Sequence, residues 1–288
     1  MKILENKSKL DNLLESIKVK KLNVGLIPTM GSIHKGHLSL VNYSKNIGCF
    51  SLATIYINPT QFDDKDDFIN YPKNTQEDIE KLSQSGCDAL YIPTSNEVYP
   101  TGIKSKKTIF EFRNILCDKF RPSHFDGVST VVDSLFNIVK PDFAFFGEKD
   151  FQQLRIIQDM NSQLNYNINI IPCEIIREKN GLAMSSRNEY LNSENREKAK
   201  IIFDTLQLGL RLIKNGEKNL SNIYSKLNKK LSLESSISVD YIKIVNHHSL
   251  MEFSDIINDN FLICIAVYME NTRLIDNIQY DYNSSSLI

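Results

Sequence analysis

A chain of 288 residues has room for one large domain or two ordinary ones, and 41% hydrophobic with 24% charged residues is ordinary globular composition, which excludes a disordered chain. A formal net charge of −1 excludes the basic excess of a protein that coats nucleic acid. No stretch reaches the roughly 18 apolar residues of a membrane span, the N-terminus lacks a signal-like apolar run, and the five cysteines form no Cys-x-x-Cys pair and read as free thiols of a reducing compartment, so the expectation is a cytoplasmic protein without membrane or nucleic-acid partners.

In chain order, Leu22 to Ile27 is an apolar run ending at Pro28, followed by a glycine-bearing loop and a helix-like stretch from Gly36 to about Ile47. Phe50 to Ile57 reads as a second strand, Thr75 to Ser85 as a helix and Ala89 to Ile92 as a short strand. Asp126 to Val139 carries apolar residues at Val128, Val131, Val132, Leu135 and Val139, a 3.6-residue period. Phe143 to Phe146 is a strand, Asp150 to Met160 a helix and Ile168 to Ile171 a strand. Strands separated by helices predict parallel pairing with right-handed crossovers, hence an α/β doubly wound sheet. After about Ile176 a polar loop leads into helix-like stretches at Ser193 to Lys214 and Leu220 to Leu231, then strands at Val239 to Val245, Phe261 to Tyr268 and Leu274 to Ile278. This reads as a smaller α+β domain, giving domains at 1–176 and 177–288. The tail from Tyr280 onward reads as frayed.

Five segments carry polar chemistry, the first three of them at strand ends, where open α/β sheets bind ligands. Pro28 to His37 (PTMGSIHKGH) follows the first strand and opens a helix, whose free N–H groups would suit phosphate. His34 and His37 are three apart and can face one side there; the bland alternative is two surface histidines on a turn. Asn58 to Phe62 (NPTQF) offers donors and acceptors, though alone it reads first as an ordinary Asn-Pro turn. Glu77 and Asp78 read as a solvated helix face slightly better than as a metal site. Phe145 to Gln153 (FFGEKDFQQ) places Lys149 for phosphate and Asp150 as an N-cap, or is a capping motif without a ligand. Met184 to Asn188 (MSSRN) reads as a phosphate clamp or as a helix start. Phe120 to Gly127 (FRPSHFDG) adds Arg121 and His124 in a turn.

The ordered set IPTMGSIHKGH, INPTQF, NYPK, FRPSHFDGVSTVV, FFGEKDFQQL and REKNGLAMSSRN, over about residues 22 to 192, resembles the pantoate–β-alanine ligase family. The resemblance implies a Rossmann-like doubly wound parallel sheet, a C-terminal α+β lid and a homodimer. It implies ATP-dependent condensation of pantoate with β-alanine through pantoyl adenylate, with Mg2+ accompanying ATP. It places ATP on Met30, Gly31, Ser32, Ile33, His34, Lys35, Gly36 and His37, on Gly147, Glu148, Lys149 and Asp150, on Ile176, and on Met184, Ser185, Ser186 and Arg187. His34, His37, Lys149 and Arg187 are the implied catalytic groups. Gln61 and Gln153 would hold pantoate, Gln61 also β-alanine, with Asn58 beside them, and Asp78 matches a metal contact. The family more often has Ala at position 32 and an acidic residue at 35. Two other readings compete: an adenylating ligase or nucleotidyltransferase for another small carboxylic acid, and a non-catalytic nucleotide-binding protein.

Overall fold

The computed structural model describes residues 1–63, 65–106, 110–254 and 256–281. Its helices are α1 (Lys7–Val19), α2 (Lys35–Asn46), α3 (Lys65–Asn70), α4 (Thr75–Gln84), α5 (Ser95–Val98), α6 (Leu116–Phe120), α7 (His124–Val139), α8 (Phe151–Gln163), α9 (Ser193–Lys198), α10 (Ile201–Lys214) and α11 (Leu220–Leu231). Its strands are β1 (Lys2–Leu4), β2 (Val24–Thr29), β3 (Phe50–Ile55), β4 (Ala89–Tyr91), β5 (Phe143–Gly147), β6 (Asn169–Cys173), β7 (Ile237–Asn246), β8 (Phe261–Met269) and β9 (Thr272–Tyr280).

The chain divides into two compact units. The first holds a six-stranded parallel sheet in the order β1-β4-β3-β2-β5-β6. β2 pairs with β3 on one side and β5 on the other, so the chain reverses its direction of travel across the sheet at β2. At such a switch point the loops leaving adjacent strands diverge and leave a crevice. The core on one face joins Ile27, Ala53, Ile55 and Leu90 of the strands to Ile33, Leu40, Val41 and Leu82 of the loop and helices. β1 and α1 are elements the sequence reading passed over. Their signal is Leu10, Leu13 and Ile17, which share one buried helix face.

The second unit holds the antiparallel sheet β7-β8-β9, with α10 and α11 packed over it through Leu206, Leu210, Ile223 and Leu227 against Ile244, Ile263 and Ile265. Its body begins at Ile175, and two earlier stretches, Ile115–Cys117 and Lys149–Gln152, cluster with it. There Gln152 accepts from Cys117 N at 2.9 Å and donates to Ile115 O at 2.9 Å. Two details correct the sequence reading. The helix expected over Ser193 to Lys214 is α9 and α10, broken at Ala199 and Lys200, where Ala199 is completely buried. Tyr280, expected in a frayed tail, closes β9 and is 5% exposed, while residues 282–288 lie outside the described residues.

Candidate active site

The crevice beside β2 begins with the Pro28–His37 segment. Gly31 stands at φ +84°, and a Cβ there would sit 2.9 Å from Asp78 Oδ2. Ser32 follows in the left-handed region at φ 49°. The reversal turns the amides of Ser32 and Ile33 onto the Asp78 carboxylate, at 2.9 and 2.6 Å. Lys81 on the same helix donates to Ile33 O at 2.9 Å, and the Ile33 side chain enters the core. Asp78 is therefore 2% exposed. This corrects its reading as part of a solvated helix face: α4 is amphipathic, and Asp78 lies on its inner side beside Leu82. Burial raises the Asp78 carboxyl above the ordinary range, opposed by hydrogen bonds from the Ile33 and Ser32 amides and by Lys81.

His34 is the N-cap of α2, and its Nδ1 accepts from Gly36 N at 3.1 Å. His37 Nδ1 accepts from His34 N at 3.4 Å, which closes a capping box built from two imidazoles. The rings stack with centroids 4.0 Å apart, on one side as the spacing predicts. Several of the amides expected to be free around this helix start are already bonded. The N–H groups of Gly31, Ser32, Ile33, His34 and Gly36 all bond within the segment or to Asp78. A ring that accepts at Nδ1 carries its proton on Nε2 when neutral. In both rings Nδ1 is the nitrogen tied to the backbone. Lys35, the first residue of α2, is exposed.

The NPTQF segment follows β3 as a 3-10 turn, Pro59–Gln61. Asn58 is completely buried. Its Nδ2 donates to Gln61 Oε1 at 3.1 Å and to Gly127 O at 3.0 Å, and its Oδ1 accepts from Tyr99 OH and from Thr60 N and Oγ1. Both amide protons and the carbonyl are spent, so Asn58 is corrected from a substrate contact to a residue that positions Gln61. Gln61 Nε2 in turn reaches Met30 Sδ at 2.8 Å, joining this turn to the first loop. The Gln61 carbonyl accepts from His124 Nδ1 at 2.7 Å and Arg121 Nη2 at 3.3 Å. α7 lies against the turn at Gly127, where a Cβ would stand 2.6 Å from Gln61 N. The FRPSHFDG motif is thus the support of the glutamine turn. Tyr99 was missed, and its only sequence signal is the Tyr-Pro pair after a short helix.

From β5, Gly147 and Glu148 enter the same crevice side of the first unit, next to β2. Gln153 is half-buried on the first turn of α8 and its side chain has no hydrogen-bond partner among the described residues. This leaves its amide available to a ligand, whereas the adjacent Gln152 is spent on Ile115 and Cys117.

The remaining candidates belong to the second unit. Lys149 Nζ lies 3.7 Å from Asp150 Oδ1. Ile176 O accepts from Met184 N at 2.9 Å, and Arg177 bridges Ala183, so the REKNGLAMSSRN segment is a hairpin. Ser185 caps a 3-10 turn, Ser186–Tyr190, by accepting from Arg187 N at 3.3 Å. Asn188, buried, donates to Glu178 Oε1 at 2.7 Å and Ala183 O at 3.0 Å and so ties the turn to the hairpin. No group of three or more His, Cys, Asp or Glu side chains among the described residues could hold a metal. Asp78, the proposed metal contact, already accepts from two amides through both oxygens. The residues present do not fit a protein-built cation site.

The family model of pantoate–β-alanine ligase matches residues 2–279. The chain is 42% identical to the pantothenate synthetase of Thermoanaerobacter pseudethanolicus, over 96% of this chain and 98% of the relative. It is 41% identical to that of Acetivibrio thermocellus, over 96% and 99%. Among solved structures, pantothenate synthetase from Thermus thermophilus superposes with a TM-score of 0.89 at 32% identity, over 96% and 98% of the two chains. The pantoate–β-alanine ligase of Francisella tularensis, complexed with beta-gamma ATP and β-alanine, superposes with a TM-score of 0.79 at 32% identity, over 97% of each chain. The chain, matched over nearly its whole length by model, sequence and fold, belongs to the pantoate–β-alanine ligase family.

Proposed function

We propose that this protein joins pantoate to β-alanine at the expense of ATP, releasing AMP and diphosphate. The observation that carries the reading is the stacked His34–His37 pair at the start of α2, its Nδ1 atoms tied to the backbone, on the same loop whose Met30 is joined to Gln61, itself held by Asn58. In the first step a pantoate carboxylate oxygen bonds to the α-phosphorus and the bond to diphosphate breaks, giving pantoyl adenylate. Negative charge grows on the departing oxygens, and Nε2–H donors fixed before the reaction stabilise it without reorganisation. Gln61 and Gln153 orient pantoate through their amides. In the second step the β-alanine nitrogen bonds to the acyl carbon, AMP departs and the nitrogen loses its proton.

Lys149 and Arg187, on segments rich in polar groups, are assigned to the phosphates, with Met30–His37, Gly147–Asp150, Ile176 and Met184–Ser186 as the nucleotide contacts. Magnesium belongs to the triphosphate in this reading, and no step is assigned to it. Residues 1–176 are assigned to nucleotide and pantoate binding and 177–288 to a lid, which would keep water from the mixed anhydride. A cytoplasmic setting is part of the proposal; among the described residues no helix is long and apolar enough to cross a membrane. A homodimer completes the proposal, and sedimentation would read it as twice the 33.1 kDa chain mass.

The deciding experiment is isotope exchange between pyrophosphate and ATP. Exchange is expected to require pantoate and to proceed without β-alanine. Exchange supported by another carboxylic acid and not by pantoate would overturn the substrate assignment.

A further inference from the structure

β9 carries two adjacent polar residues, Asp276 and Asn277, each 3% exposed, inside the otherwise largely apolar run Leu274 to Ile278. Neighbouring strand residues project to opposite faces of a sheet, and these two reach different segments of the same unit. The Asp276 carboxylate takes the Arg177 guanidinium in a fork, at 2.5 Å from Nη1 and 3.0 Å from Nη2. Arg177 also donates to Gly181 O at 3.1 Å and to Asn277 O at 3.3 Å, and its guanidinium lies 3.9 Å from the Phe203 ring centre. Arg177 pairs with Ala183 across the hairpin. Asp276 therefore anchors the base of the hairpin that runs directly into Met184–Arg187.

Asn277 uses its side chain differently. Its Nδ2 donates to the backbone carbonyl of Lys149 at 3.0 Å. β9 is an edge strand paired with β8 over its whole length, from Phe261↔Tyr280 to Met269↔Thr272. Its backbone is thus paired to β8 where the two side chains leave it. One strand fixes two segments that each end in a cation, Lys149 and Arg187.

We propose that Asp276 and Asn277 are positioning residues that act as a strut, setting the spacing between Lys149 and the Ser185–Arg187 turn that the two must keep to grip one triphosphate. This rests on the ligase reading for the identity of the reaction. The physical reason is that a phosphate grip made of long cationic side chains is only as well placed as the backbones beneath them. A displacement of about 1 Å far from the reacting atoms can cost on the order of a hundredfold in rate. Asp276 with Arg177 is a buried charge pair, so removing the carboxylate strands a cation and threatens folding. Asn277 is neutral and is the residue to change.

The test is Asn277→Ala, measured in each half-reaction and in a cycle with Lys149→Ala. Pantoate-dependent pyrophosphate–ATP exchange is expected to fall about tenfold to a hundredfold. Reaction of β-alanine with preformed pantoyl adenylate, which has no triphosphate to grip, is expected to stay within about twofold of wild type. In the Lys149→Ala background the same change should add almost nothing, since the carbonyl contact remains but the ammonium it positions is gone. Equal loss in both half-reactions, full additivity with Lys149→Ala, or a wild-type exchange rate would each overturn the strut. ATP affinity by calorimetry, weakened by Asn277→Ala and again non-additive with Lys149→Ala, tests it independently of the acid substrate. Wild-type protein that binds ATP but shows no pantoate-dependent exchange would overturn the ligase reading and leave the calorimetric test of the strut intact.

Discussion

At the scale of single residues, His37 has two separable jobs on two ring nitrogens. Nδ1 caps α2 by accepting from His34 N, and Nε2 is the donor assigned to phosphate. His37→Asn can place an amide near Nδ1, whereas His37→Gln can reach the position of Nε2. Asn and Ala variants are expected to lose about a hundredfold to a thousandfold in single-turnover adenylation, and Gln only about tenfold, with melting temperature best preserved in Asn. Equal losses in Asn and Gln would remove the Nε2 donor from the mechanism. Asp78 makes a prediction of the opposite kind, about stability. Its folded pKa is raised, chiefly by burial, so the native state holds this proton more tightly than the unfolded chain. Its contribution is full below the unfolded value, near pH 3.9, and is lost as pH rises through the folded value. Wild type should therefore gain stability relative to Asp78→Asn as pH drops from neutrality toward the unfolded value of about 3.9, read as urea midpoints. A gap that widens in the other direction would contradict the burial argument.

At the scale of elements, α7 and the Pro59–Gln61 turn depend on a missing side chain. Gly127→Ala would push a methyl group against Thr60 and Gln61 N. Neither partner is a flexible side-chain tip, so the backbone must yield. Overpacking of this kind costs about 1–3 kcal/mol, and the cost here falls on the glutamine turn. The expected result is a lowered denaturation midpoint together with a raised KM for pantoate, while ATP affinity changes little. Unchanged KM with lowered stability would separate α7 from the acid pocket. Much of this level was legible in the sequence: α2, α4, α11 and all three strands of the small sheet fall where periodicity and turn residues place them. The α9–α10 break was not, because a buried Ala199 in a polar-apolar alternation looks like ordinary helix.

At the scale of the molecule, all five cysteines are buried and none is in a disulfide. Burial raises the thiols of Cys49, Cys87 and Cys264, and that of Cys173, with Glu148 and Glu174 adding to the effect, to about 12. The thiolate is the reactive form, so a thiol reagent at neutral pH should modify the native protein slowly. All five should titrate at once in denaturant. Rapid reaction of several thiols in the native protein would show that the units open far more readily than this burial allows.

The sequence alone determined the fold class, the order of the motifs and the chemistry they resemble, because hydrophobic period, glycine turns and residue type are local properties. It also placed His34 and His37 on one side, since that follows from helix geometry. Only the tertiary structure decided which polar atoms remain for a ligand. Asn58 looked like a substrate contact and is spent inside the protein, while Asp78 looked solvated and holds the first loop. Asp276 and Asn277 looked like strand residues and are tied to Arg177 and Lys149, about a hundred or more positions away. Hydrogen-bond capacity is used up by partners brought together in space, and no local pattern records who those partners are.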